Sequence, residues 1–410
     1  MDGGVPNLKA RLRRAERLTK LKYIGLIIPL ALFLLVTFLW PIGSLLYRAV
    51  ANPEVIEALP RTTQALRGWD GETLPGDDVF DAFAGDLDGN RRSPVLAGAA
   101  KRLNMEEPGF RSVLINTARK LDRQPGQSAK DAILAVEPRW GDVSAWRLVA
   151  RNGQLVTPFY ILSALDLRIT DDGAIVRAPD DQAIYVEILL RTLWMSVVVT
   201  ALCMLLGYPL AYLLAQVSTG TGNLLMILVL LPFWTSVLVR VAAWIVLLQK
   251  EGPINKAMLA LGLITEPLQL VFNRFGVYIA MVHILLPFVV LPLYAVMKSI
   301  KPAYVRAAIS LGAPPFSAFW KIYFPLSLPG VGAGGLLVFI LCMGYYITPA
   351  LLGSPREQMA SYFVAFYTNE TINWGMAAAL SAVLLSATMI LYVIYARHFG
   401  PARANQITPR

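Results

Sequence analysis

Apolar and polar positions along this chain fall into long blocks, not short alternations. Long, predominantly apolar stretches run over Tyr23–Tyr47, Leu193–Val217, Leu224–Leu248, Phe275–Met297, Leu328–Leu352 and Trp374–Ala396. Each is about 20 residues or more, the length that crosses a bilayer as a helix. The pattern predicts an all-α polytopic membrane protein with six transmembrane helices. Between the first two runs, residues 49–185 form the one long polar stretch. Asp, Gly and Pro crowd residues 52–92, which predicts loops there, with core positions concentrated in the second half of the stretch. Ser144 to Ala150 reads as a short helix stopped near Gly153. Thr157 to Ile169 has strand-like or buried helical character, and Asp172-Gly173 before Ala174-Ile175-Val176 is a hairpin signal. A small mixed α/β insertion outside the membrane is therefore expected, in an order of 1–48 (basic N-terminus and helix 1), 49–185 (insertion), 186–400 (helices 2–6) and 401–410 (tail).

Charge orients this arrangement. Residues 51–185 hold 20 of the 27 acids and 16 of the 37 bases, a balance of −4, and the remainder stands at +14. Seven bases precede residue 23, and Lys298, Lys301, Arg306 and Lys321 cluster with no acid between the fourth and fifth runs. By the positive-inside rule both termini and this loop face the cytoplasm, and the insertion lies outside. The first run is too long for a signal-peptide core, so it is expected to remain as a span. The net charge of +10 is thus a matter of membrane flanks, and nucleic-acid binding is not expected.

Little in the sequence points to catalysis. Two histidines and two cysteines, Cys203 and Cys342, leave no metal or nucleophile set, and no phosphate-binding loop of the G-x-x-x-x-G-K-[ST] type is present. The Gly330-Val-Gly332-Ala-Gly334-Gly335 run opens an apolar span directly, so it predicts close helix approach and not a dinucleotide site. Asp86-Leu-Asp88-Gly-Asn90 lacks the following Gly and Glu of a calcium loop and reads as a solvated acidic turn. No Asp or Glu falls within any expected span, which disfavours a proton- or sodium-driven carrier. Arg240, inside the third run, is expected to face a path or a partner, with snorkelling to the helix end as the alternative. His283 reads as an interhelical hydrogen-bonding residue. Trp234, Trp244, Tyr345 and Tyr346 are candidates for lining a path, with interface anchoring as the bland alternative.

The basic loop Lys301–Pro329 is more specified than a linker needs to be. Tyr304 to Leu311 has helical spacing, Gly312 supplies a helix stop, and Pro314-Pro315 suits the start of a second short helix over Phe316–Phe324. A sharp bend between two short helices is predicted.

Arg306-Ala307-Ala308, Gly312, Ile322 and Pro325 stand at the spacing of the cytoplasmic E-A-A loop of ABC-importer permeases, which the segment resembles. Arg306 replaces the usual acid, and Phe324 stands where that motif has Leu. Pro232–Leu248, Gly252–Ile264, Asn273–Tyr294 and Ile347–Pro355 are similar to the spermidine/putrescine-type branch. The resemblance implies a non-catalytic permease subunit of the bacterial inner membrane that imports a small solute, a polyamine first among candidates, handed over by an extracytoplasmic binding protein. It further implies a second permease subunit and an ATPase dimer, which would hold the ATP and magnesium; this chain itself would bind no cofactor. Arg306, Ala307, Ala308, Gly312, Ile322 and Pro325 would then couple to the ATPase, the first short helix lying in its groove. A secondary transporter or a membrane-anchored ligand sensor is the alternative.

Overall fold

In a computed structural model the protein is described over residues 6–91, 93–122, 126–170 and 173–399. It divides into two compact units between Pro158 and Phe159. Residues 401–410 and the Asp172 half of the expected hairpin turn lie outside the described residues.

The first unit begins with a helix that crosses Lys22–Arg48, a length and composition able to span a membrane. Its apolar side chains are exposed, Leu26 by 77% and Trp40 by 71%. A π turn over Leu35–Leu39, in which the Trp40 N–H donates to the Leu35 carbonyl, precedes Pro41. Proline has no N–H and its ring crowds the carbonyl four residues back, and the widened turn relieves both.

Where described, residues 54–152 of the insertion fold into helices joined by short non-helical links, one of them over 69–76. The helices are Glu54–Ala58, Pro60–Ala65, Asp77–Asn90, Pro94–Glu106, Phe110–Lys120, Ala129–Val136 and Val143–Asn152. This corrects the expectation of loops over 52–92 for Glu54–Ala58, Pro60–Ala65 and Asp77–Asn90, while 69–76 is non-helical as expected. Val55, Ala58 and Leu59, then Val79, Phe80, Phe83, Ala84 and Leu87, recur at helical spacing and are buried to 5% exposure or less. Their burial outweighs the low helix propensity of the interleaved Asp and Gly. Asp77 and Asp78 stand in the first helical turn, where negative charge is stabilising.

Five aromatic rings form the centre of this unit. Phe83 and Trp140 lie 4.5 Å apart, Phe80 and Trp146 4.8 Å, Trp140 and Trp146 5.1 Å, and Phe110 and Trp140 5.4 Å, by ring centroids. Both buried indoles are satisfied: Trp140 Nε1 donates to Thr117 Oγ1 and Trp146 Nε1 to the Trp140 carbonyl, each at 2.8 Å. The core therefore draws on both halves of the insertion, not the second alone.

Asp86 corrects a second expectation. It lies within a helix, is 4% exposed, and accepts from Thr62 N and Thr62 Oγ1 at 2.8 Å and from Arg61 N at 3.3 Å. It thus caps, from another helix, the free N–H groups that open Pro60–Ala65. Only Asp88 of that segment is solvated, paired with Arg91 at 2.7 Å.

The second unit opens with helix Phe159–Ala164 and the antiparallel hairpin Leu167–Ile169 with Ile175–Arg177, in register Leu167↔Arg177. These are the only strands among the described residues, so the α/β character expected of the insertion is confined to one hairpin after its helices. Asp166, held at φ 56° and 5% exposed, accepts from the N–H groups of Tyr185 (2.9 Å) and Val186 (2.8 Å). It caps the next span in the same way that Asp86 caps its neighbour.

Four further helices are long and apolar enough to cross a membrane: Tyr185–Gln216, Arg274–Ser299, Pro315–Met343 and Trp374–Arg397. Hereafter they are spans 2, 4, 5 and 6. The expected third span is not one helix. Thr219–Trp234 and Val237–Ala260 meet at 96°. Thr235 and Ser236 are extended at the break, and the Thr235 hydroxyl donates to the Pro232 carbonyl at 2.9 Å. Hydropathy runs unbroken across this point, whereas Pro232 and the hydroxyl residues redirect the backbone. With the bent pair counted as one, six segments among the described residues are long and apolar enough to cross.

Prolines elsewhere leave the helices continuous. Span 4 continues through Pro287 and Pro292. Span 5 begins at Pro315, so the expected second short helix and the expected Leu328 start are one continuous helix, with a π turn over Phe319–Tyr323 just before Phe324-Pro325. Likewise the expected end of span 5 at Leu352 is a separate helix, Ile347–Leu352, and Ala360–Asn369 is helical within the expected loop.

Spans 2, 4 and 5 make the core of this unit through small residues. A Cβ on Gly334 would meet the Val289 carbonyl at 3.1 Å, one on Gly330 would meet Val296 Cβ at 3.0 Å, and one on Gly207 would meet Val289 Cγ1 at 2.8 Å. The glycine run is thus a helix-packing face, as its position predicts. Cys203 and Cys342 are buried free thiols.

Candidate functional site

The bend between spans 4 and 5 is built by local chemistry. Pro302 opens helix Pro302–Ser310. At its end the Ala313 N–H donates to the Ala308 carbonyl at 3.0 Å and the Gly312 N–H to the Ile309 carbonyl at 2.9 Å. Gly312 has φ 89°. This is a Schellman closure, and the left-handed residue at its centre is the one position where a Cβ would be strained. Pro314 caps and Pro315 starts the next helix. The short helix is therefore a finger separated from span 5 by a left-handed turn.

Of the sequence-predicted residues here, Arg306, Ala307 and Gly312 are exposed, Ala308 is buried, Ile322 is partly buried and Pro325 is exposed. The finger presents Arg306 together with Tyr304 (50% exposed), Ile309 (44%) and Leu311 (89%), and the following turn presents Phe316 (76%). Lys298, Lys301 and Lys321 are exposed as well. An apolar strip edged by cations, with no acid between Glu266 and Glu357, is left for another surface to cover.

Sequence reasoning missed what holds the finger's base. Tyr208 and Tyr212 of span 2 meet the start of span 5: Tyr212 packs on Tyr323 at 5.1 Å and on Phe319 at 5.7 Å, and Tyr208 on Phe324 at 5.8 Å. Tyr208 also hydrogen-bonds Ser327 at 2.9 Å between hydroxyls. The i, i+4 tyrosine pair at the end of an apolar span was the available signal. These contacts join the start of span 5 to span 2.

The second candidate group lies on the helix after the break. Trp244 Nε1 donates to His283 Nδ1 at 3.2 Å, their rings 5.6 Å apart. Arg240 lies within electrostatic reach of His283 and Tyr345. Its Nε is buried without a hydrogen-bond partner, as is the Tyr278 hydroxyl. The structure thus gathers Arg240, Trp244, His283 and Tyr345 into one polar cluster within the helices. Trp234 is 75% and Tyr346 40% exposed, and neither is drawn into it. His283, read from sequence as an interhelical residue, has that role here. Among the described residues no group of acids, histidines or cysteines is placed to hold a metal.

Residues 188–404 match the family described as binding-protein-dependent transport system inner membrane component. The chain belongs to this family of ABC-importer permeases. It is 34% identical to the spermidine/putrescine transport system permease protein PotB of Escherichia coli K12 over 214 residues, covering 52% of this chain and 78% of that one. To the inner membrane ABC transporter permease protein YdcU of the same organism it is 30% identical over 278 residues, 62% of this chain and 86% of that one. Among solved structures, a chain of a bacterial alginate ABC transporter in complex with an alginate pentasaccharide-bound periplasmic protein superposes with TM-score 0.43 and 16% identity, over 53% of this permease and 79% of that chain. The helical domain over residues 54–152 lies outside the family match.

Proposed function

We propose that this permease forms the membrane path of an ATP-driven importer that takes a small solute from an extracytoplasmic binding protein into the cytoplasm. The solute read from its PotB relatives is a polyamine such as spermidine or putrescine. Arg306, Ala307, Ala308, Gly312, Ile322 and Pro325 form the coupling site for a separate ATPase dimer, which holds ATP and magnesium. A second permease subunit completes the path, and both termini lie in the cytoplasm. Arg240, Trp244 and Tyr345, joined by His283, line that path; Trp234 and Tyr346 face the second permease or lipid.

The observation that carries this reading is the Gly312-closed finger, exposed at its tip and bracketed at its base by Tyr208 and Tyr212. A finger of this kind converts closure of an ATPase pair into a rigid-body swing of spans 2 and 5 between two packed states. Affinity purification of the tagged permease from its native membrane tests it. An ATPase is expected to co-purify, and scrambling Lys301–Ser310 is expected to release it and stop uptake. Continued uptake with a scrambled finger overturns the coupling role.

A further inference from the structure

No slack residue separates the first span from the external domain. The N–H groups of Ala49 and Val50 donate back to the Leu46 and Tyr47 carbonyls at 3.1 Å, and that of Ala51 to Tyr47 at 3.0 Å. Ala51 is already bridged to Val156, the Asn52 N–H donates to the Leu155 carbonyl at 2.9 Å, and the Thr157 N–H to the Val50 carbonyl at 2.8 Å. The ingoing and outgoing chains are therefore zipped together where the helix ends.

Side chains lock this joint into the domain. Asn52 is fully buried; its Nδ2 donates to the Asn152 carbonyl at 3.0 Å and the Gln154 carbonyl at 3.2 Å, and its Oδ1 accepts from Arg102 Nε at 2.8 Å. Arg102 pairs with Glu106 at 2.8 Å, and the other Glu106 oxygen holds Arg151 at 2.7 Å. The Arg102 side chain is 2% and the Glu106 side chain 9% exposed. A buried ion pair adds little net stability, because desolvation opposes the attraction, yet it is costly to break. Its effect at this position is to hold one geometry. A tether meant to be flexible is Gly- and Ser-rich with free backbone groups, and this joint is the reverse.

We infer that the external domain is a rigid lever on the first span, so that a protein docking on the domain turns that span in the membrane. The load is the extracytoplasmic binding protein of the importer reading, on which this inference rests. Coupling of this kind is reciprocal: the state of the spans changes the domain's affinity for its partner by the same factor.

The test uses the full chain in lipid nanodiscs, with spin labels on cysteines introduced at exposed Ser44 and Arg119; Cys203 and Cys342 are buried. A single narrow distance distribution is expected between the labels. Inserting Gly-Ser-Gly-Ser between Arg48 and Ala49 is expected to broaden it, and to lower uptake at least about fivefold at equal membrane abundance, the lower bound of ordinary allosteric coupling. Asn52→Ala, which leaves the aromatic core in place, is expected to broaden it to a lesser extent. A broad distribution in the unaltered protein overturns the lever, and so does unchanged uptake with the flexible insert. The distance measurement needs no ATPase, so it is independent of co-purification, on which the importer reading stands.

Discussion

The helical domain over residues 54–152 and the finger over Pro302–Ser310 treat their side chains in opposite ways. The domain buries its five rings, caps a helix with Asp86 and closes its own base with Asn52, Arg102 and Glu106. The finger buries Ala308 and leaves Leu311, Phe316 and Arg306 outside. A surface that satisfies its own groups has nothing to gain from a partner at those groups, and a surface that leaves them open does. The interior groups of the first region therefore supply its stability, and the open side chains of the finger are left for recognition.

The sharpest way to break this contrast is Trp140→Ala. Removing the ring that touches Phe83, Phe110 and Trp146 is expected to destabilise the domain by about 3–5 kcal/mol, seen as loss of its thermal transition, and it also removes the indole N–H that the Thr117 hydroxyl accepts. A smaller loss indicates that the core collapses to fill the cavity. Next in size is Gly334→Leu, which drives a side chain against the Val289 backbone and is expected to cost about 1–3 kcal/mol as overpacking. It is read as a lower unfolding temperature in detergent, with Gly334→Ala giving a smaller shift. Asp86→Ala removes a cap provided from outside the helix and is expected to cost about 1–2 kcal/mol, measurable by denaturant unfolding.

Arg306→Glu is expected to change folding least, since Arg306 is exposed. It is expected to lower ATP-driven uptake, and a compensating acid-to-base change on the ATPase is expected to restore it. Strictly additive losses remove the idea that Arg306 has a charged partner. A fall in melting temperature with Arg306→Glu would place the residue in the folded core and erase the contrast between the two regions.

Much of the membrane half was legible because the bilayer imposes one rule on every span: about 20 apolar residues with internally satisfied backbone. The same holds for the Gly312 turn, whose left-handed stop and flanking prolines are local requirements. Position by position, the sequence by itself determined where apolar segments begin, which loop is basic, and that the glycine run packs helices. It also carried the Ala307-Ala308-Gly312 spacing.

Tertiary structure decided the rest, and for one reason: the deciding partner is distant in the chain. Asp86 is a cap only because Thr62 arrives beside it, and Tyr208 is a bracket only because Phe324 does. Asp77–Asn90 is a helix because Phe80 and Phe83 pack on Trp146 and Trp140. Local composition there reads as loop, and long-range burial outweighs it. The break at Thr235 and Ser236 had no hydropathy signal at all, since a bent backbone and a straight one carry the same apolar side chains.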